Sequence, residues 1–159
     1  MAPKRIYLLA LAGACIALAR APSSLNQEEL KLLQDPGGWE YVTVSQPDSG
    51  FQTQHVCFDG KPHPRECSGS LLLRPNNTFT MQLTIRGKKV DRHGTYDLNN
   101  DQIAFYDEFG TRDGPYTVQL SAELKRLTLS MPQVKLDLEL ESQYKDDLQK
   151  KKAPAPTKD

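Results

Sequence analysis

The sequence predicts an all-β fold, an antiparallel up-and-down meander of eight or nine strands closed into a barrel. Between Thr78 and Tyr106, three consecutive runs alternate apolar and polar residues, as strands with one buried face do. Similar runs recur about every ten residues, with short turns between them. No long helical pattern separates the runs, so each strand is expected to pair with its neighbours. Closure into a barrel is favoured because it removes exposed sheet edges.

The predicted strands share this alternation or are bounded by turn signals. They are Trp39–Val44, Phe51–Phe58, Ser68–Arg74, Phe79–Ile85, His93–Leu98, Gln102–Tyr106, Tyr116–Leu120, Leu127–Met131 and Val134–Leu140. The last run has the most regular pattern, because every apolar residue in it is followed by a charged one. We therefore expect it to close the meander against the strand that begins at Trp39.

Length and charge restrict the class of protein. The chain has 159 residues, which is room for one domain, and its 20 basic residues equal its 20 acidic ones. A nucleic-acid-binding protein normally shows a basic surplus. We therefore expect no nucleic-acid partner, and we expect a monomer.

The amino terminus, residues 1–19, predicts a secretory signal peptide. Lys4 and Arg5 precede an apolar run that is too short to span a bilayer comfortably. Alternatively, the segment Leu11–Cys15 resembles a lipoprotein box, in which Cys15 would be lipidated and anchor the protein to the outer membrane. Both alternatives predict a secreted or cell-envelope protein, for example in the periplasm, with membrane attachment only if Cys15 is lipidated.

The remaining chain divides into three segments. Residues 20–36 predict a linker and a short helix, Gln27–Gln34, with Asn26 or Ser24 as its N-cap. Residues 37–142 contain the predicted barrel. Residues 143–159 are rich in lysine and proline, cannot bury apolar surface, and are expected to be disordered.

Cys57 and Cys67 bracket a loop rich in glycine and proline, and they are the only two cysteines that both routes of maturation retain. In an oxidising compartment this spacing predicts a disulfide, which would stabilise the fold by about 2.5–3 kcal/mol. The alternative is a metal site, because His55 and His63 together with the two thiols make the ligand set of a tetrahedral zinc centre.

The sequence does not predict an enzyme. It contains no Gly-x-Ser-x-Gly motif, and Ser68 and Ser70 adjoin a strand rather than a strand-to-helix turn. The carboxylates between Asp97 and Glu108 lie in or near predicted turns without EF-hand spacing. We therefore expect no catalytic site and no cofactor.

Short motifs resemble those of a known family. Gly37-Gly38-Trp39 matches the Gly-x-Trp signature that opens the first barrel strand of lipocalins, and it follows a predicted short helix. The segments Leu71–Phe79 and Gly94–Phe105 are similar to the hairpins of bacterial lipocalin-like domains. The resemblance covers Gly37–Leu140 and implies a small secreted or lipoprotein barrel in which Trp39 closes the barrel floor.

Three functions remain open at this point. In the first, the barrel holds a small hydrophobic ligand. Bulky side chains with an adaptable or polar end are then expected near its opening, and they are Tyr41, Met81, Tyr96, Phe105 and Tyr116. Alternatively, the same side chains fill the interior completely.

In the second function, the loop between the two cysteines binds an envelope protein, as an inhibitor does, through Lys61, His63 and Arg65. The third is a structural envelope component without a ligand.

Overall fold

The computed structural model describes residues 24–48, 50–58 and 66–152. It contains two helices and nine strands: α1 (Gln27–Leu33), β1 (Trp39–Asp48), β2 (Phe51–Val56), β3 (Cys67–Leu73), β4 (Thr78–Ile85), β5 (Lys88–Asn99), β6 (Gln102–Asp107), β7 (Arg112–Ser121), β8 (Arg126–Met131), β9 (Val134–Leu140) and α2 (Glu141–Lys152). Several predictions lie outside the described residues: the signal peptide of residues 1–19, Cys15, the loop residues Lys61, His63 and Arg65, and the tail of residues 153–159.

Eight of the strands form a closed antiparallel barrel, which confirms the predicted fold class. Strands β3 to β9 follow one another as a meander, and β9 pairs with β1 from Trp39 opposite Leu140 to Ser45 opposite Lys135. The ninth strand, β2, pairs with the second half of β1 beside the barrel. The alternation of β9 therefore marks the closing strand, as expected.

Three strands are several residues longer than the alternation predicts, whereas β2 ends at Val56 instead of Phe58. β1 continues to Asp48, β5 begins at Lys88 instead of His93, and β7 begins at Arg112 instead of Tyr116. These extensions carry polar or charged residues, and the start of β5 is exposed on both faces. Backbone pairing does not require a buried face, so sequence alternation does not reveal strands that continue beyond the core.

One end of the barrel is closed by α1. Asn26 is its N-cap and forms a capping box with Glu29, which fixes the start of the helix as predicted. Leu33 is buried, and its carbonyl oxygen accepts a hydrogen bond of 2.9 Å from Trp39 Nε1. Trp39 is itself fully buried, so it forms part of this closed end.

Residues 143–152 of the segment that is expected to be disordered lie in α2. The Tyr144 ring packs on Phe58 with 4.6 Å between ring centroids, and Lys145 Nζ lies 2.6 Å from a carboxylate oxygen of Glu141. The segment has little apolar surface of its own, so its periodicity does not predict a helix. Phe58 lies more than eighty residues earlier in the chain, so local sequence does not reveal its contact with Tyr144.

Cys57 and Cys67 form the predicted disulfide, with an S–S distance of 2.04 Å. The bond joins the chain just after β2 to the first residue of β3. Because the two sulfur atoms are bonded to each other, they are not thiolate ligands, and the alternative in which Cys57 and Cys67 ligate a metal with His55 and His63 is wrong. The described residues contain no cluster of three or more His, Cys, Asp or Glu side chains suited to a metal ion.

The disulfide indicates an oxidising, extracytoplasmic environment. Within the described part of the chain, neither helix has the length and apolar character needed to cross a membrane.

Candidate ligand-binding site

A half-open cavity of about 530 Å³ lies at the end of the barrel opposite α1. It is bounded by the turns that join β4 to β5 and β8 to β9, and by the inner faces of β1, β2 and β7. Arg86 and Gly87 form the tight turn from β4 to β5, with φ angles of 47° and 78°. Positive φ at both positions suits a hairpin turn whose twist matches the strands. This turn places the side chains that flank it at the mouth of the cavity.

The walls of the cavity are mainly apolar. Met81, Leu83 and Ile85 face inward because they alternate along β4. The apolar side chains that line the cavity are Met81, Leu83, Ile85, Val90, Met131, Val134 and Leu136. Four of them (Leu83, Ile85, Met131 and Val134) are only partly buried against the core, so apolar surface is available to a ligand.

Aromatic side chains fill the barrel beneath the cavity. The rings of Phe79 and Phe105 meet edge to face with 4.9 Å between centroids, and Phe105 and Tyr116 with 6.0 Å. All three residues are buried. The interior is therefore packed toward α1 and hollow toward the other end, which decides against a completely filled barrel.

A polar network lies in the wall of the cavity. Tyr116 donates a hydrogen bond of 2.8 Å from its hydroxyl to Asp113 Oδ1, and Arg92 pairs with Asp113 Oδ2. Arg92 and Asp113 are 22% and 23% exposed, so the ion pair is shielded from bulk water on most sides. Asp113 thus uses both carboxylate oxygens, and its charge is compensated by Arg92.

Tyr41 differs from Tyr116 in its hydrogen bonding. Its side chain lines the same cavity and is 1% exposed, yet no group among the described residues forms a hydrogen bond with its hydroxyl. Burial raises the pKa of Tyr41 far above its ordinary value, and the neighbouring Tyr116 and Asp113 add to the shift against the opposing charge of Arg92. The hydroxyl is therefore a neutral donor at any ordinary pH.

His55 is a second buried polar residue that lines the cavity. It lies on β2 and is 1% exposed. Its Nδ1 atom has no hydrogen-bond partner among the described residues, and a carboxylate oxygen of Glu66 lies 3.7 Å away, beyond hydrogen-bond range.

The structure brings three of the five predicted ligand-binding residues together. Tyr41, Met81 and Tyr116 line the cavity. Tyr96 lies at the closed end instead, where its hydroxyl accepts a hydrogen bond from Gln34 and donates one to the carbonyl of Arg74. Phe105 lies in the aromatic layer beneath the cavity. Alternation predicts which side chains face inward, but it does not predict their height along the barrel axis.

Sequence reasoning missed the charged and polar members of the site. Arg92 and Asp113 fall in segments that were expected to be turns, Arg86–Arg92 and Asp107–Gly114. His55 was expected only as a strand residue or a metal ligand. Arg92 is paired with Met81 on β4, and Asp113 is paired with Phe105 on β6, which brings both charged side chains to the cavity. The alternation within one strand does not reveal how it is paired with the next.

Comparison with protein-family models, curated proteins and solved structures finds no match to this chain. The relationship to lipocalin-like domains therefore stays a prediction that rests on the motifs around Trp39 and the hairpins.

Proposed function

We propose that this protein is a non-enzymatic binding protein that holds a small hydrophobic ligand in the barrel cavity. The observation that carries the proposal is the half-open cavity of about 530 Å³ with seven apolar side chains in its walls. Small-molecule sites have volumes of roughly 300–1,000 Å³ and combine apolar walls with a few polar groups. The cavity matches this description in both size and chemistry.

The apolar walls can supply useful affinity. Each methylene group that leaves water contributes about 0.8 kcal/mol, so six to eight of them would contribute about 5–6 kcal/mol. Part of this is lost to the cost of association. The closed barrel and the packed aromatic layer fix the cavity before the ligand arrives, which reduces the cost of ordering the site.

We infer that binding takes place outside the cytoplasm, in the cell envelope or the surrounding medium. The support is the disulfide between Cys57 and Cys67 together with the signal-like residues 1–19. A lipidated Cys15 would tether the barrel to a membrane, and an unmodified chain would diffuse freely.

A fluorescence titration with N-phenyl-1-naphthylamine tests the proposal, since this dye emits strongly only in an apolar site. We expect one saturable site per chain. The double variant Leu83→Phe with Val134→Phe narrows the cavity and should weaken binding at least ten-fold.

The control variant is Leu124→Phe, which changes an exposed residue in the turn between β7 and β8. It should bind the dye like the wild type, and circular dichroism should show that all variants are folded. Dye binding that does not saturate, or that is unaffected by the two cavity substitutions, would refute the ligand-binding proposal.

A second candidate function is an interaction with an envelope protein through the loop that contains Lys61, His63 and Arg65. The observation that favours it is the disulfide, which holds the two ends of this loop together. Replacing residues 61–65 by a Gly/Ser sequence should abolish the capture of envelope partners by the immobilised protein. Unchanged capture would remove this candidate.

A further inference from the structure

We propose that the ligand carries an uncharged hydrogen-bond acceptor, such as a ketone, ester or amide carbonyl, which accepts a hydrogen bond from the Tyr41 hydroxyl. This inference rests on the proposed ligand-binding function. It adds the polar chemistry of the ligand and the direction in which the ligand binds.

The Tyr41 hydroxyl is buried without a hydrogen-bond partner among the described residues, which is unusual. More than nine in ten buried polar groups in folded proteins have a hydrogen-bond partner, and an unpaired one costs about 1–3 kcal/mol. Tyr41 is 1% exposed, and its hydroxyl has no partner within the described part of the chain. Tyr116, a second phenol in the same cavity, is satisfied by Asp113. A ligand that supplies an acceptor to Tyr41 would remove this cost.

The charge around the Tyr41 hydroxyl is set by Asp113 and Arg92. The other cations that line the cavity, Arg86 and Lys88, flank the turn at its mouth and are not among the charges that shift the pKa of Tyr41. Asp113 is close enough to Tyr41 to disfavour a negative charge there, and the positive charge of Arg92 is already compensated by Asp113. An anionic ligand group placed beside Tyr41 would lose its hydration and meet the Asp113 carboxylate in a medium of low polarity. A cationic group would not accept the phenolic proton. An uncharged oxygen acceptor fits both the charge and the donor.

The apolar side chains of the cavity lie mainly toward its mouth, away from Tyr41. Tyr41 lies on the first half of β1, and its strand partner on β9 is Leu138. Leu83, Ile85 and Val134 lie nearer the turns at the mouth. A ligand would therefore bind with its acceptor toward the packed interior and its hydrocarbon part along these walls.

Three naphthalene probes that differ only in one substituent test the inference. They are 2-dimethylamino-6-propionylnaphthalene, its 6-propyl analogue without the carbonyl, and the 6-carboxylate. The wild type should bind the propionyl probe about five- to ten-fold more tightly than the propyl probe, the usual effect of one net hydrogen bond. The carboxylate should bind most weakly.

Tyr41→Phe should remove the preference for the propionyl probe while leaving the affinity for the propyl probe unchanged. The emission of the bound propionyl probe should also shift to the blue, because its carbonyl loses a hydrogen bond. Tyr106→Phe, which changes a tyrosine outside the cavity, is the matched control and should behave like the wild type.

The inference is overturned if Tyr41→Phe binds the propionyl probe as tightly as the wild type, or if the carboxylate binds most tightly. In both cases saturable binding of N-phenyl-1-naphthylamine would still support the proposed function. If neither that dye nor any of the three probes binds saturably, the proposed function itself fails, and the inference fails with it.

Discussion

At the residue scale, two tyrosines that line the same cavity differ in the hydrogen bonding of their hydroxyl groups. Tyr116 donates to Asp113, whereas Tyr41 has no partner among the described residues. Both are buried, and both have a pKa raised by burial. We propose that the Tyr41 hydroxyl is reserved for a ligand, and that leaving it unpaired in the free protein costs stability.

We expect Tyr41→Phe to raise the free energy of unfolding of the ligand-free protein by about 1 kcal/mol, because it removes an unpaired buried hydroxyl. Tyr96→Phe is the matched control: its hydroxyl has bonds to Gln34 and Arg74, so its loss should lower stability by about 1 kcal/mol. Urea unfolding measures both changes. Equal destabilisation by the two substitutions would mean that Tyr41 has a partner in the free protein.

At the element scale, the barrel is closed by the pairing of β9 with β1 and β8. Asp137 on β9 accepts a hydrogen bond of 2.8 Å from Thr43 on β1 and another of 2.8 Å from Thr128 on β8. Burial raises the pKa of Asp137, but these hydrogen bonds and the nearby Lys135 outweigh burial, so the pKa lies below its ordinary value. The carboxylate therefore links three strands at the point of closure.

Asp137→Ala should lower the free energy of unfolding at pH 7 by roughly 1–2 kcal/mol, because two hydroxyl groups lose a charged acceptor. The pKa of Asp137 is lower in the folded protein than in the unfolded chain. The stabilisation by Asp137 is therefore complete at a pH above the unfolded pKa, and it is lost as the pH falls through the folded pKa. The difference between variant and wild type should thus shrink below a pH of about 3.8.

The control is Asp91→Ala. Asp91 is 49% exposed and pairs with the exposed Lys89 on β5, so its removal should change stability little. An equal loss of stability for the two variants, or a loss for Asp137→Ala that does not shrink as the pH falls below 3.8, would contradict the role given to Asp137.

The disulfide fixes the position of β2, the ninth strand, which pairs with β1 and is not one of the eight strands of the closed barrel. β2 pairs with β1, and the bond from Cys57 to Cys67, ten residues apart, fixes the end of β2 to the start of β3. The double substitution Cys57→Ser with Cys67→Ser should lower the free energy of unfolding by ~2.5–3 kcal/mol. Urea unfolding of the reduced wild type should show a similar decrease in the free energy of unfolding. If neither the variant nor the reduced wild type is less stable, the disulfide does not stabilise the fold.

At the scale of the whole molecule, the barrel is packed at one end and hollow at the other. Alternation was sufficient to predict the fold class and the closing strand, because both depend on which side chains face inward. It could not predict that Tyr96 lies at the closed end and Tyr116 at the cavity, because height in a barrel depends on strand register. Nor could it predict α2, whose Tyr144 packs against Phe58 from a distant part of the chain.

The most direct test of ligand binding inside the barrel uses Trp39, the single tryptophan of the chain, which is buried at the closed end. Energy transfer from Trp39 to N-phenyl-1-naphthylamine reports dye that is bound to the protein, and its loss in a cavity variant places the bound dye in the cavity. The structure predicts that transfer saturates at one dye molecule per chain and is lost in the variant with Leu83→Phe and Val134→Phe. Transfer that increases without saturation, or that persists in this variant, would show that the dye binds elsewhere and that the cavity is not a ligand site.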